Sequence, residues 1–136
     1  MPVFNAGQWL GEALASIARQ TLQNFELIAI DDSSTDDSLE MLSRAAATDA
    51  RIRILPSPAK GIVAALNFGI GQCRAKYIAR MDADDLMPER RLEIQARYLD
   101  QNPDTSIVTG KVLYLGDAAA NAGYARYEIG RASCRE

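Results

Sequence analysis

The stretch FELIAIDDSSTDDS, residues 25–38, decides the fold. It opens with a short and mostly apolar run, Phe25 to Ile30, which is followed at once by a polar loop. That combination is typical of a strand buried on both faces of a parallel sheet. Ser33 and its polar neighbours are N-cap candidates for a following helix with apolar residues at Leu39 and Leu42. The stretch therefore predicts a strand, a loop carrying Asp31 and Asp32, and a helix.

A second apolar run ends in carboxylates in the same way, within YIARMDADDLMPERR, residues 77–91. Residues 76–81, KYIARM, predict another strand, and Asp82, Asp84 and Asp85 follow it directly. The pattern after them predicts a helix over Pro88–Gln101, which Asn102 and Pro103 end. Ligands of open α/β sheets bind beyond the carboxyl ends of the strands, so both acidic clusters should face one crevice.

The rest of the chain continues this alternation. Apolar residues at helical spacing predict helices over residues 8–20 and 61–73, and short apolar runs predict strands over residues 51–55 and 106–116. Strands that alternate with helices predict an α/β fold, with a mostly parallel sheet and helices on both faces.

Composition narrows the functional classes. The chain has 136 residues, 48% of them hydrophobic, with a net charge of -3, which disfavours a general nucleic-acid partner. The absence of histidine excludes Ser-His-Asp and Cys-His mechanisms within the chain. Its two cysteines, Cys73 and Cys134, form no disulfide framework or CxxC site. No apolar run approaches the roughly 20 residues of a membrane span.

The aspartates of the second cluster suit a hard cation. Asp82 and Asp84 are two residues apart, so in an extended segment their carboxylates point the same way and repel each other. Mg²⁺ or Mn²⁺ would relieve that repulsion, with water and phosphate oxygens as the other ligands. Asp31 and Asp32 offer acceptors that suit the donors of a nucleoside. An ordinary loop and helix-cap role for Asp31 and Asp32 stays open at this point.

Four segments together resemble a known family: PVFN at residues 2–5, the run from Gln20 to Ser38, KG with ALNFGI at residues 60–70, and YIARMDADD at residues 77–85. In this order and spacing, over residues 2–115, they resemble a family 2 glycosyltransferase with the GT-A fold, a Rossmann-like nucleotide-binding architecture. The resemblance implies a nucleotide-sugar donor, often UDP-linked, and transfer of the sugar with inversion to a sugar or lipid-linked acceptor. It also implies a cytoplasmic enzyme, one that can act at the inner face of the membrane.

Residue roles follow from the same resemblance. Asp82 and Asp84 match the metal motif, with Asp85 as a further candidate, and Arg91 matches a structural or substrate-orienting position. The resemblance implies no catalytic base within this chain, since the family's base lies in a later part of the domain. The implied nucleotide-binding residues are Pro2, Val3, Phe4, Asn5, Asp31, Asp32, Ser33, Lys60, Gly61, Asn67 and Asp82.

Two departures from the family pattern shape the predicted boundaries. Only Met1 precedes PVFN, where the family has its first strand, and the acceptor-binding part is missing. We therefore expect residues 1–127 to be the donor-binding half of a GT-A domain, of marginal stability and with little transferase activity alone. Residues 128–136, EIGRASCRE, resemble the translation of a sequencing adapter, and we expect them to be non-native.

Two alternatives stay open at this level. A sugar-phosphate nucleotidyltransferase also builds a Rossmann-like nucleotide site, but its opening phosphate loop usually carries an arginine, which residues 1–11 lack. A phospho-accepting receiver domain would use Asp82, Thr109 and Lys111, but it needs a further strand and helix between acceptor and threonine.

Overall fold

A computed structural model describes residues 1–113 of the chain. These residues fall into two units, Met1–Arg97 and the described part of a second unit that begins at Tyr98. The elements of the described residues are β1 (Pro2–Val3), α1 (Gly7–Ala18), β2 (Leu27–Asp31), α2 (Ser38–Thr48), β3 (Ile52–Pro56), α3 (Ile62–Gln72) and α4 (Arg91–Gln101).

The three strands form one parallel sheet in the order β1-β2-β3. In its register Val3 lies opposite Asp31, and Asp31 lies opposite Pro56. All five residues of β2 are buried, as expected for the central strand of a parallel sheet. The predicted α/β class and parallel sheet are confirmed.

Helices cover both faces of β2. Successive side chains of a strand point to opposite faces, so alternate residues of β2 contact different helices. On one face Ala29 packs in a cluster with Leu10 of α1 and Leu42 of α2. On the other face Ile28 and Ile30 pack against α3 through Ala65 and Phe68. This arrangement directs the loops after β1, β2 and β3 toward one edge of the sheet.

The predicted strand over residues 76–81 is wrong, since these residues form no regular secondary structure. A strand needs a neighbour whose backbone groups are free to pair, and β1 contains only two residues. Met81 is nevertheless buried, in a cluster with Ala13, Ile17 and Leu27. Side-chain packing therefore holds this segment where the sequence predicted a ladder.

The predicted strand over residues 106–116 is also wrong for its described part, residues 106–113, which have no regular structure. Ile107 and Leu113 are 79% and 75% exposed, and the described residues offer them no partner strand. Residues 114–116 and the predicted non-native tail, residues 128–136, lie outside the described residues, so the tail stays a prediction.

The four predicted helices are present, with small shifts at their ends. The largest shift is in α4, which begins at Arg91 and not at Pro88 because residues 88–90 form a turn closed by the Arg91 N–H and the Pro88 carbonyl, 2.9 Å apart. No helix within residues 1–113 combines the length and the apolar character needed to cross a bilayer.

Candidate functional site

The first acidic pair lies at the carboxyl end of β2, between the two neighbouring strands. The Asp32 N–H donates to the Val3 carbonyl at 2.8 Å, and the Ser57 N–H donates to the Asp31 carbonyl at 2.8 Å. Both aspartates are only 9% exposed. The sheet therefore fixes the backbone from which the two carboxylates project.

The Asp32 carboxylate is bonded on one side only. Its Oδ2 accepts a hydrogen bond from the Gly61 N–H at 2.7 Å. Its Oδ1 is buried and has no hydrogen-bond partner among the described residues. Buried polar atoms are nearly always paired, because an unpaired one pays its full desolvation cost. The free oxygen of Asp32 is therefore an acceptor for a donor that residues 1–113 do not supply.

Gly61 owes its place opposite Asp32 to its backbone conformation. Its φ is 103°, in a region that residues with a Cβ rarely adopt. That conformation places Gly61 immediately before α3 with its N–H on the Asp32 carboxylate. Lys60 precedes it with an exposed side chain. The turn thus places the positive charge of Lys60 at the edge of the Asp32 site.

The loop after β1 is bonded to the loop after β2. Asn5 has a φ of 48°, and its Oδ1 accepts from the Thr35 N–H at 2.8 Å. The Asn5 N–H donates to Ser34 Oγ at 3.2 Å, and Asp31 Oδ1 accepts from the Ser34 N–H at 3.3 Å. Phe4, beside Asn5, leaves 60% of its surface exposed. An exposed aromatic ring therefore lies on a loop whose position is fixed.

Asp36 has a structural role in this loop. Its Oδ2 accepts from the Gly7 N–H at 2.9 Å and its Oδ1 from the Ser38 N–H at 3.0 Å, so one carboxylate serves the starts of α1 and α2. A hydrogen bond with the Ser38 side chain, followed by that with the Gly7 N–H, lowers the pKa of Asp36. Such bonds mark Asp36 as a capping residue.

The second acidic cluster is more exposed than the first. The Arg80 guanidinium donates to both carboxylate oxygens of Asp82, at 3.1 and 3.0 Å, and Asp84 is exposed. Burial raises the pKa of Asp85, and the neighbouring charges of Asp82 and Asp84 raise it further. The charges of Asp82 and Asp84 therefore act on Asp85, and Arg80 is bonded to Asp82.

This donor set fits a hard divalent cation. Carboxylate oxygens are what Mg²⁺ and Mn²⁺ prefer, and crowded negative charge favours a cation. Within residues 1–113, no three His, Cys, Asp or Glu side chains form a metal-binding group. A cation at Asp82 and Asp84 would thus take its remaining ligands from water or from a bound phosphate, as Mg²⁺ commonly does.

Both ends of the acidic turn are fixed to the rest of the unit. Arg91 Nη2 donates to the Arg80 carbonyl at 3.0 Å, which favours the structural alternative for Arg91. Ala83, inside the turn, is buried in the same cluster as Val3 and Ala6. The turn therefore packs against the loop after β1, and the two acidic clusters belong to one edge of the sheet.

The structure brings together only part of the predicted nucleotide-binding set. Asn5, Asp32 and Gly61 lie in bonded loops at the edge of the sheet, and Pro2 and Val3 support them from β1. Ser33 adjoins Asp32 with a φ of 64° and an exposed side chain. Asn67 is exposed in the second turn of α3, and no hydrogen bond of the described residues involves its side chain.

Several residues that shape this edge are not predicted from the sequence. Arg80 falls within the predicted strand over residues 76–81, and its place two residues before Asp82 on an extended segment is the signal that suggests their contact. Ser34 and Thr35 fit an N-cap pattern in the sequence, but in the structure they bond Asn5 across 29 and 30 residues. No local pattern announces such long-range partners.

Comparison with known proteins identifies relatives. The family model described as Glycosyl transferase family 2 matches residues 1–129. A glycosyltransferase of Rickettsia felis is 42% identical over 102 residues, covering 75% of this chain and 17% of its own length. Glycosyltransferase GlyG of Streptococcus pneumoniae is 34% identical over 137 residues, covering 100% of this chain and 44% of its own length. The chain thus spans less than half of these two relatives.

Solved structures share the fold. TarS of S. aureus, residues 1–349 in complex with UDP, superposes with a TM-score of 0.69 at 23% identity, covering 75% of this chain and 31% of TarS. The mannosyltransferase PcManGT of Pyrobaculum calidifontis, in complex with GDP-Man and Mn²⁺, gives 0.66 at 25% identity, covering 72% and 30%. Both structures have the GT-A fold, which confirms the predicted fold.

Proposed function

Because the chain belongs to glycosyl transferase family 2, we propose that the edge of its sheet binds the nucleotide of a UDP-sugar donor. Family membership confirms the prediction of a glycosyltransferase and decides against the receiver domain and the nucleotidyltransferase. The donor, the metal and the acceptor go beyond that membership and are part of the proposal.

The observation that carries the proposal is the unpaired Oδ1 of Asp32. The imide N–H of uracil is a donor that a buried carboxylate can accept, and hydrogen bonds to charged groups are the stronger kind. Gly61 holds the other oxygen, so the carboxylate keeps one orientation when the base is absent. Phe4 offers an exposed ring on the neighbouring loop, and Lys60 offers a positive charge for a phosphate.

Asp82 and Asp84 would hold Mg²⁺ or Mn²⁺ beside the diphosphate. The mannosyltransferase of the same fold binds Mn²⁺ together with GDP-Man, which supports a divalent cation here. When bound, such a cation neutralises the charge that grows on the leaving diphosphate. Asp82 would have to exchange its contact with Arg80 for that role.

The transfer itself is proposed for the whole enzyme. An acceptor hydroxyl of a sugar or lipid-linked sugar needs a base to take its proton. That base is expected beyond residue 127. The whole enzyme would then transfer the sugar with inversion at the anomeric carbon. A cytoplasmic place of action, including the inner face of the membrane, stays a prediction.

Calorimetric titration of the chain with UDP, with and without MnCl₂, tests the nucleotide site. We expect UDP to bind and CDP to bind more weakly, since cytosine lacks the imide N–H. Asp32→Asn keeps an acceptor for Gly61 but can present an amide to the imide, so UDP affinity should fall about 10- to 100-fold.

Asp37→Asn is the matched control. It makes the same chemical change on the same loop, at an exposed residue without a side-chain capping bond, and should bind UDP like the wild type. Equal UDP affinity in Asp32→Asn and the wild type would contradict the proposal.

A further inference from the structure

The segment after the acidic turn is attached to the end of α1 by two buried polar side chains. Gln20 is 0% exposed; its Nε2 donates to the Pro88 carbonyl at 2.8 Å, and its Oε1 accepts from the Leu92 N–H at 3.1 Å. Ser16, 2% exposed, accepts from the Met87 N–H at 3.1 Å. We call Ser16 and Gln20 the α1 clasp.

The clasp determines where residues 82–86 end. Met81 on one side of these residues and Met87 on the other are both buried in the same apolar cluster. The clasp adds directional bonds at the second end, where apolar packing alone would let the segment slide or rotate. Five residues that include Asp82 and Asp84 are thus held between two fixed points.

A glutamine at position 20 is unusual for its surroundings. It lies two residues beyond the end of α1, at the spacing that would continue the buried stripe of Leu10, Ala13 and Ile17. A buried amide stabilises a fold only when its polar atoms are paired, and an apolar residue would fill the stripe without that demand. Gln20 instead bonds both of its polar atoms to the segment after the acidic turn.

We propose that Ser16 and Gln20 are positioning residues for the divalent cation, acting through the place and orientation of residues 82–86. This inference rests on the proposed assignment of the cation to Asp82 and Asp84. Mg²⁺ and Mn²⁺ sites depend on ligand geometry, and groups that orient the ligands affect metal affinity about 10- to 100-fold. The clasp fixes one end of the segment that carries Asp82 and Asp84.

Mn²⁺ binding to the full chain in the presence of UDP tests this inference. Free Mn²⁺ is measured by its electron paramagnetic resonance signal, and thermal unfolding is followed on the same samples. Gln20→Met removes both bonds to the segment, and Ser16→Ala removes the acceptor of the Met87 N–H. We expect Mn²⁺ affinity to fall at least about tenfold in Gln20→Met and by a smaller factor in Ser16→Ala.

Gln23→Met is the matched control. Gln23 bonds the Gln20 carbonyl and Arg51 but not the segment after the acidic turn, so its loss can lower the unfolding temperature without lowering Mn²⁺ affinity. If Gln20→Met does not fold, Ser16→Ala decides.

Three outcomes would overturn the inference. Folded clasp variants that bind Mn²⁺ like the wild type would overturn positioning alone, and so would an equal loss of affinity in Gln23→Met. A wild-type chain that binds UDP but no Mn²⁺ would overturn the proposed metal site and this inference with it.

Discussion

The two acidic clusters differ in how the fold holds them. Asp32 sits at the end of a five-residue ladder, is 9% exposed, and has one oxygen bonded to Gly61 and the other unpaired. Asp82 follows a segment without regular structure and is bonded to its own neighbour Arg80. The sheet thus prepares the first cluster for one ligand geometry, whereas side-chain contacts at its ends locate the second. We infer that the first selects the base and the second takes the cation.

Asp84→Asn should separate the two clusters most strongly. Removing one charge from the proposed metal pair should weaken Mn²⁺ binding about tenfold or more, because carboxylates are the protein ligands. UDP binding without metal should stay as in the wild type, since Asp32 and Gly61 are untouched. Calorimetry with each ligand alone measures both effects. Loss of metal-free UDP binding in this variant would break the proposed division.

Gly61→Ala should damage the first cluster through the backbone. A Cβ at Gly61 meets no atom within 4 Å, so the cost comes from the backbone conformation, φ 103° and ψ 149°, and should be about 1–3 kcal/mol of unfolding free energy. Urea unfolding measures it. Gly71→Ala is the control: its Cβ also meets nothing and its φ is not positive, so it should not destabilise the chain.

Arg80→Ala should affect only the second cluster. Removing the guanidinium frees Asp82 from an exposed ion pair, and such pairs contribute at most about 1 kcal/mol. We therefore expect Mn²⁺ affinity to rise by at most about fivefold, with UDP affinity in the absence of metal unchanged. A fall in Mn²⁺ affinity would mean that Arg80 supports the cation site instead of competing for it.

Glu93→Gln should give the smallest effect. It involves neither acidic cluster and changes only how stability depends on pH under acidic conditions. Hydrogen bonds from Arg90 first and Thr21 second lower the pKa of Glu93 from 4.5 to about 2. A carboxylate with a lowered folded pKa contributes stability above its unfolded pKa and loses it as the pH falls. The variant should therefore lose less of its stability than the wild type between pH 5 and pH 2, as followed by thermal unfolding. An unchanged slope would refute this assignment.

The sequence predicted the elements whose signals are local. An apolar run that ends in Asp31 and Asp32 predicts β2, and apolar residues at helical spacing predict α1. Residues 76–81 also carry a short apolar pattern, yet a strand needs a partner as well, and β1 is two residues long. The apolar pattern of a segment does not show whether a partner strand is present, because that depends on the neighbouring segment.

The candidate site was predictable in its residue types and less so in its contacts. Asp32, Gly61 and Asn5 were identified by resemblance, but the bond from Gly61 to Asp32 Oδ2 joins residues 29 positions apart, and the unpaired Oδ1 is visible only in the folded chain. Gln20 was missed because a polar residue does not count toward an apolar stripe, although its spacing continues that stripe. Long-range polar contacts carry no periodic signal.

Amide NMR spectra of the chain, titrated with UDP and then with a trace of Mn²⁺, test the division of labour most directly. We expect UDP to shift the amide of Gly61 and those of the loop around Asn5. Paramagnetic Mn²⁺ should then broaden the amides of residues 82–86 first. If Gly61 does not respond to UDP, or if Mn²⁺ broadens other acidic sites such as that around Asp49 before residues 82–86, the proposed donor site is contradicted.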